Sequence, residues 1–76
     1  MVNPETMVAL AQRHVTEAEA RIARQRELIQ ELERDGHKSM AGRAQKVLSV
    51  LEESLRLARI HLQLEIEHYG TGDKRS

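Results

Sequence analysis

The chain has no cysteine, which excludes disulfides and thiolate metal sites. It has no phenylalanine or tryptophan, and its one tyrosine is Tyr69. A core without large rings must be filled by Leu, Ile, Val, Ala and Met, as long packed helices are. The single proline is Pro4, and no glycine comes before Gly36. Neither sign of charge is in excess: 12 basic residues stand against 12 acidic ones. The basic surplus of a nucleic-acid surface and the acidic surplus of a solvating tail are both missing. Apolar runs are only a few residues long, so no segment is expected to span a bilayer. The opening Met-Val-Asn-Pro-Glu has no basic region followed by an apolar stretch, so no secretory signal is expected. A cytoplasmic setting fits these absences.

What remains is a short chain with strong helical punctuation. Its 76 residues suffice for one small domain. A domain of that size usually needs a staple, a metal or a partner to complete its core. Asn3 is a good N-cap, Pro4 suits a first helical position, and Glu5 favours the positive end of the helix dipole. Gly36 supplies the left-handed residue that commonly ends a helix. Ser39 reads as the cap of a second helix, and Gly70-Thr71-Gly72 would stop it. The expected order is a cap at 1–3, a helix over 4–35, a turn at 36–39, a helix over 40–69 and a disordered polar tail at 70–76. From Leu55 to Ile66 apolar and polar residues nearly alternate, as in a strand. Leu57-Ala58 breaks the alternation, the composition favours helix, and no second strand is at hand.

Both segments carry seven-residue repeats. In the first, Val8, Val15, Ile22 and Ile29 form one row, and Ala11, Ala18, Gln25 and Leu32 the other. In the second, Ala41, Leu48, Leu55, Leu62 and Tyr69 alternate with Ala44, Leu51, Ala58 and Glu65. These are coiled-coil seams. A short connection forces the helices antiparallel, so facing residue numbers should share a constant sum of about 73 when the heptads are aligned. Leu32 then faces Ala41, Ile29 faces Ala44, Gln25 faces Leu48 and Ile22 faces Leu51. Further out, Ala18 faces Leu55, Val15 faces Ala58 and Ala11 faces Leu62. Large meets small in most layers, as a close-packed core needs. At the open end Val8 meets Glu65, and there Ile66 and Tyr69 are expected to pack against Met7. The fold class expected is all-α: an antiparallel two-helix hairpin, dimerising into a four-helix bundle.

The dimer is expected because the second helix is too apolar for one partner. At 100° per residue Val50, Leu57, Ile60 and Leu64 form a second stripe nearly opposite the seam. Burying a Leu-sized side chain is worth roughly 1.5–3 kcal/mol, and an exposed stripe of this kind usually marks an interface. A second copy is the simplest cover; another helical protein, or an uncovered strip on a monomer, are the alternatives. Gln25 is the one polar residue in the first seam. Such a group either sets register from a buried position or reaches out to solvent, and both readings stand.

Chemistry-bearing groups are few. His61, Glu65 and His68 fall on one helical face, and Glu65-Ile66-Glu67-His68 has the Glu-x-x-His spacing of carboxylate-bridged di-iron bundles. That spacing lets a carboxylate and an imidazole one turn apart reach one ion. The first helix offers no inward-facing Glu to complete such a site, so solvated polar residues beside the seam are the plainer reading, and no cofactor is expected. Arg13, Arg21, Arg24, Arg26 and Arg34 are interleaved with Glu17, Glu19, Glu27, Glu31 and Glu33, which reads as a solvated face. Arg13, Glu17 and Arg21 are spaced for pairing along the helix. With no clustered basic charge and nothing to stack on a base, nucleic acid is not an expected partner. A hairpin with a histidine also invites comparison with the dimerisation and phosphotransfer domain of sensor histidine kinases. There an acidic residue directly follows the histidine, whereas Val15-Thr16-Glu17 follows His14. No nucleophile–base pair or glycine-rich loop is evident, so no enzyme is expected.

The stretch His14-Val15, Arg21-Ile22-Ala23-Arg24-Gln25-Arg26-Glu27-Leu28-Ile29 and Leu32-Glu33-Arg34-Asp35-Gly36-His37 resembles a family of short bacterial helical-hairpin proteins. The likeness covers the first helix and the turn and is looser afterwards. Members often place Asp or Thr after Gly-His, where this chain has Lys38-Ser39. The resemblance implies a hairpin and a bacterial, intracellular setting, and carries no activity with it.

Overall fold

The computed structural model describes residues 4–69 as two helices, α1 (Pro4–Arg34) and α2 (Lys38–Tyr69), packed against each other. No strand occurs among the described residues, and α2 runs without a break through the alternating stretch from Leu55 to Ile66. The cap expected at 1–3 and the tail expected at 70–76 lie outside them. The molecule is long and thin, with extents of 58 × 18 × 15 Å. Its radius of gyration is 17.1 Å, against about 11 Å for a compact chain of this length.

The turn follows from one residue. Gly36 has φ of 80°, a conformation that costs any residue with a Cβ. The reversal lets two N–H groups reach back onto α1. His37 N donates to the Leu32 carbonyl at 2.8 Å and Gly36 N to the Glu33 carbonyl at 3.1 Å. This is the Schellman pattern, which satisfies carbonyls that the helix end would leave open. Arg34 in the last turn adds a cation at the negative end of the dipole. The second helix starts earlier than Ser39 would have it. Ala41 N donates to the His37 carbonyl at 2.9 Å, so His37 takes the flanking position and Ser39 falls inside the first turn. The expected four-residue turn is shorter for the same reason: one left-handed glycine reverses the chain.

Packing follows the heptads. Ala11, Ile22, Ile29, Ala41, Ala44 and Leu48 are buried. Val8, Val15, Ala18, Leu32, Leu51, Leu55, Ala58, Leu62 and Glu65 in the same rows are half-buried, as are Met7 and Ile66 beside them. Ile22, Ile29, Ala44 and Leu48 form a cluster on which Leu32, Leu51 and Leu55 pack. The densest part of the core thus lies in the half next to the turn. Tyr69 departs from its row. It is exposed, and its ring meets the His68 ring edge-on with centroids 4.4 Å apart. Tyr69 is the last residue of α2, level with Pro4 at the start of α1.

Gln25 resolves into a cross-helix tie. Its side chain is half-buried, and Nε2 donates to the Ala44 carbonyl at 2.9 Å. That carbonyl already accepts a bond within α2, so the amide uses its second lone pair. Small Ala44 gives the side chain room to reach the backbone.

Ion pairs add a second record of register. Glu19 and Arg59 lie 3.1 Å apart across the hairpin, and so do Arg26 and Glu52. The two pairs are one heptad apart on each helix and have opposite polarity. Arg13–Glu17 and Glu17–Arg21 do not pair along α1 among the described residues. The charges of α1 that do pair there, Glu19 and Arg26, reach α2 instead, because e-type positions of antiparallel helices flank the seam on the same side.

Candidate interaction surface

Helical geometry gives the hairpin two unlike flanks. One carries the Glu19–Arg59 and Arg26–Glu52 pairs. On the opposite flank and outer face of α2, the apolar residues stand open: Val50 is 64% exposed, Leu57 53%, Ile60 46% and Leu64 58%. Val47 and Met40 extend this stripe towards the turn, and Leu28 and Leu10 are exposed on α1. The reading of the sequence missed these four. Met40, Val47, Val50, Leu57 and Leu64 are separated by steps of seven and three, so the same periodicity would have found the first two.

The seam therefore consumes one face of each helix and leaves a second apolar face on α2 without cover. Polar residues interrupt it. Ser54 and His61 are exposed along it. Charge brackets it: Arg43 and Lys46 precede Val47, and Glu67 follows Leu64. Beside the stripe Arg56 and Glu53 form a two-bond pair, Nε–Oε1 at 3.1 Å and Nη2–Oε2 at 2.6 Å. The Arg56 hydrogen bond holds the Glu53 carboxyl below its usual range, with the guanidinium charge assisting, and the same bond raises Arg56.

The three candidate metal ligands are only partly brought together. His61 Nε2 lies 3.2 Å from Glu65 Oε2, and the Glu65 side chain is 14% exposed, tucked at the seam's edge. His68 turns to Tyr69 instead. No group of three His, Asp or Glu side chains among the described residues is placed to hold a metal ion. His14 is exposed on α1. No described helix is long and apolar enough to cross a membrane.

Comparison with protein-family models, curated proteins and solved structures found no match to this chain. The functional reading therefore rests on the surface itself.

Proposed function

We propose that this protein is a non-enzymatic, self-associating helical hairpin that serves as a protein-interaction or regulatory module, with a two-fold dimer of four helices as its working form. The open apolar stripe of Val50, Leu57, Ile60 and Leu64 carries this reading. Each is about half covered already, so seating it against a partner would contribute roughly 1 kcal/mol, half of what full burial gives. The modest core supports the same reading. Of the six buried residues three are alanines, and no side chain is wholly enclosed among the described residues. A hairpin with so little interior gains most from a partner.

Light scattering after gel filtration tests it. At tens of micromolar the expected mass is twice that of the chain. Changing Leu57 and Ile60 to serine should return the protein to a single chain while far-ultraviolet circular dichroism stays helical. A single-chain mass for the unaltered protein at that concentration would overturn the proposal.

A further inference from the structure

The outer face of α2 is polarised, and the polarity selects an arrangement. From Lys38 to Leu51 the helix carries Lys38, Arg43 and Lys46 and no acid; from Glu52 to Tyr69 it carries four glutamates against two arginines. The α1 helix answers part of this through Glu19 and Arg26. It cannot answer the outer face. Lys46, Glu53, Ile60 and Glu67 follow one another in steps of seven, on the side of α2 turned away from α1, and all four are exposed. Arg43 and Lys46 have no carboxylate within ion-pair distance among the described residues. The ends of α2 also run against its own dipole. Its first turn holds Lys38 and no acid, and its last turn holds Glu67 beside the basic His68.

We infer that two copies join through α2 packed antiparallel on α2, with the α1 helices outside; this rests on the self-association proposed above. The occupant of the stripe is a second copy because the stripe complements its own reverse. A parallel copy would stack Lys46 on Lys46 and Glu67 on Glu67. An antiparallel copy sets Arg43 and Lys46 of one subunit beside Glu67 and the α2 C-terminus of the other, and brings opposite dipole ends together. Superposing the apolar stretch Val47–Leu64 on its own reverse fixes the register. Val47 meets Leu64, Val50 meets His61 and Ser54 meets Leu57. Smaller side chains then face larger ones, as they do within the hairpin seam.

The absence of cysteine makes the test clean, because each cysteine variant takes one nitroxide label per chain. Ser49→Cys and Ser39→Cys both lie at exposed positions of α2 outside the stripe. Pulsed electron–electron distance measurements on the two labelled full-length dimers read the arrangement directly. In the antiparallel register the Ser49 positions are offset along the axis by about 20 Å, and the Ser39 positions by about 50 Å, at 1.5 Å per residue. A distance at Ser39 longer than that at Ser49 by tens of ångströms is the expected result. Equal short distances at both positions would overturn the antiparallel packing and leave self-association standing. Absence of any intermolecular distance, together with a single-chain mass, would overturn both.

Discussion

Two glycines should respond in opposite directions to the same substitution. An added Cβ meets no atom within 4 Å at Gly36 or at Gly42, so crowding cancels and only backbone conformation differs. At Gly36, with φ of 80°, alanine must hold a left-handed conformation that costs about 1–2 kcal/mol. Part of this is offset because alanine narrows the unfolded ensemble, by about 0.4–1 kcal/mol. The net expectation for Gly36→Ala is a loss of about 1 kcal/mol. Gly42 lies within α2, where alanine incurs no such strain and glycine is the weaker helix former by about 0.5–1 kcal/mol. Gly42→Ala should therefore stabilise by that amount. The two variants should differ by roughly 2 kcal/mol, or about 8–16 °C in melting temperature for a domain of this size. Thermal denaturation followed at 222 nm measures it. Both variants must be compared at one protein concentration, since association shifts apparent stability. An unchanged or raised melting temperature for Gly36→Ala would refute the account of the turn. A loss at Gly42→Ala would mean that a partner approaches the helix backbone there.

Gln25→Leu should raise stability by about 0.5–1 kcal/mol, since apolar burial in the seam outweighs one hydrogen bond and the Ala44 carbonyl keeps its helical partner; a lower melting temperature would assign the amide a larger role. Glu19→Arg should destabilise the hairpin by up to about 1 kcal/mol, and adding Arg59→Glu should recover most of it at low salt. Zero coupling in that cycle would show that the pair does not form in solution. Glu53 should titrate below ordinary glutamates when followed by carboxyl carbon resonances, and salt should move it back. Its folded-state value is lowered, so whatever stability it adds is present above the unfolded value and lost as pH falls through the folded one. A Glu53 that titrates like a free glutamate would remove the Arg56 pair from the account.

Much of the architecture was legible because heptads and punctuation agree. The rows from Val8 to Leu32 and from Ala41 to Glu65 are the residues that α1 and α2 turn towards each other, and Gly36 is the left-handed residue between them. Other features depended on distances across the hairpin, which spacing alone does not supply. The Arg13–Glu17–Arg21 spacing suits pairing along α1, yet the charges that pair are Glu19 and Arg26, whose partners lie on α2. Ser39 has the chemistry of a cap but loses the position to His37, because backbone geometry at Gly36 starts α2 sooner. Gln25 left two readings open until Ala44, small and one turn from the facing Leu48, gave its amide a carbonyl to reach. The outward stripe was visible at Val50, Leu57, Ile60 and Leu64, and its extension through Val47 to Met40 was legible in the same steps of seven and three, although the reading stopped short of it.

The uneven distribution of the core has a consequence for how the chain assembles. The cluster of Ile22, Ile29, Ala44 and Leu48 lies in the half next to the turn, so most of the buried contacts, Ala11 at the open end apart, are also those that close the shorter loops. Loop closure costs least there and is rewarded first. Folding should start at Gly36 and zip outward, one heptad at a time, towards Val8 and Leu62. Opening should retrace that path, with amide protons near the chain ends exchanging long before those around Ile29 and Ala44. The turn is then the last part of the molecule to let go.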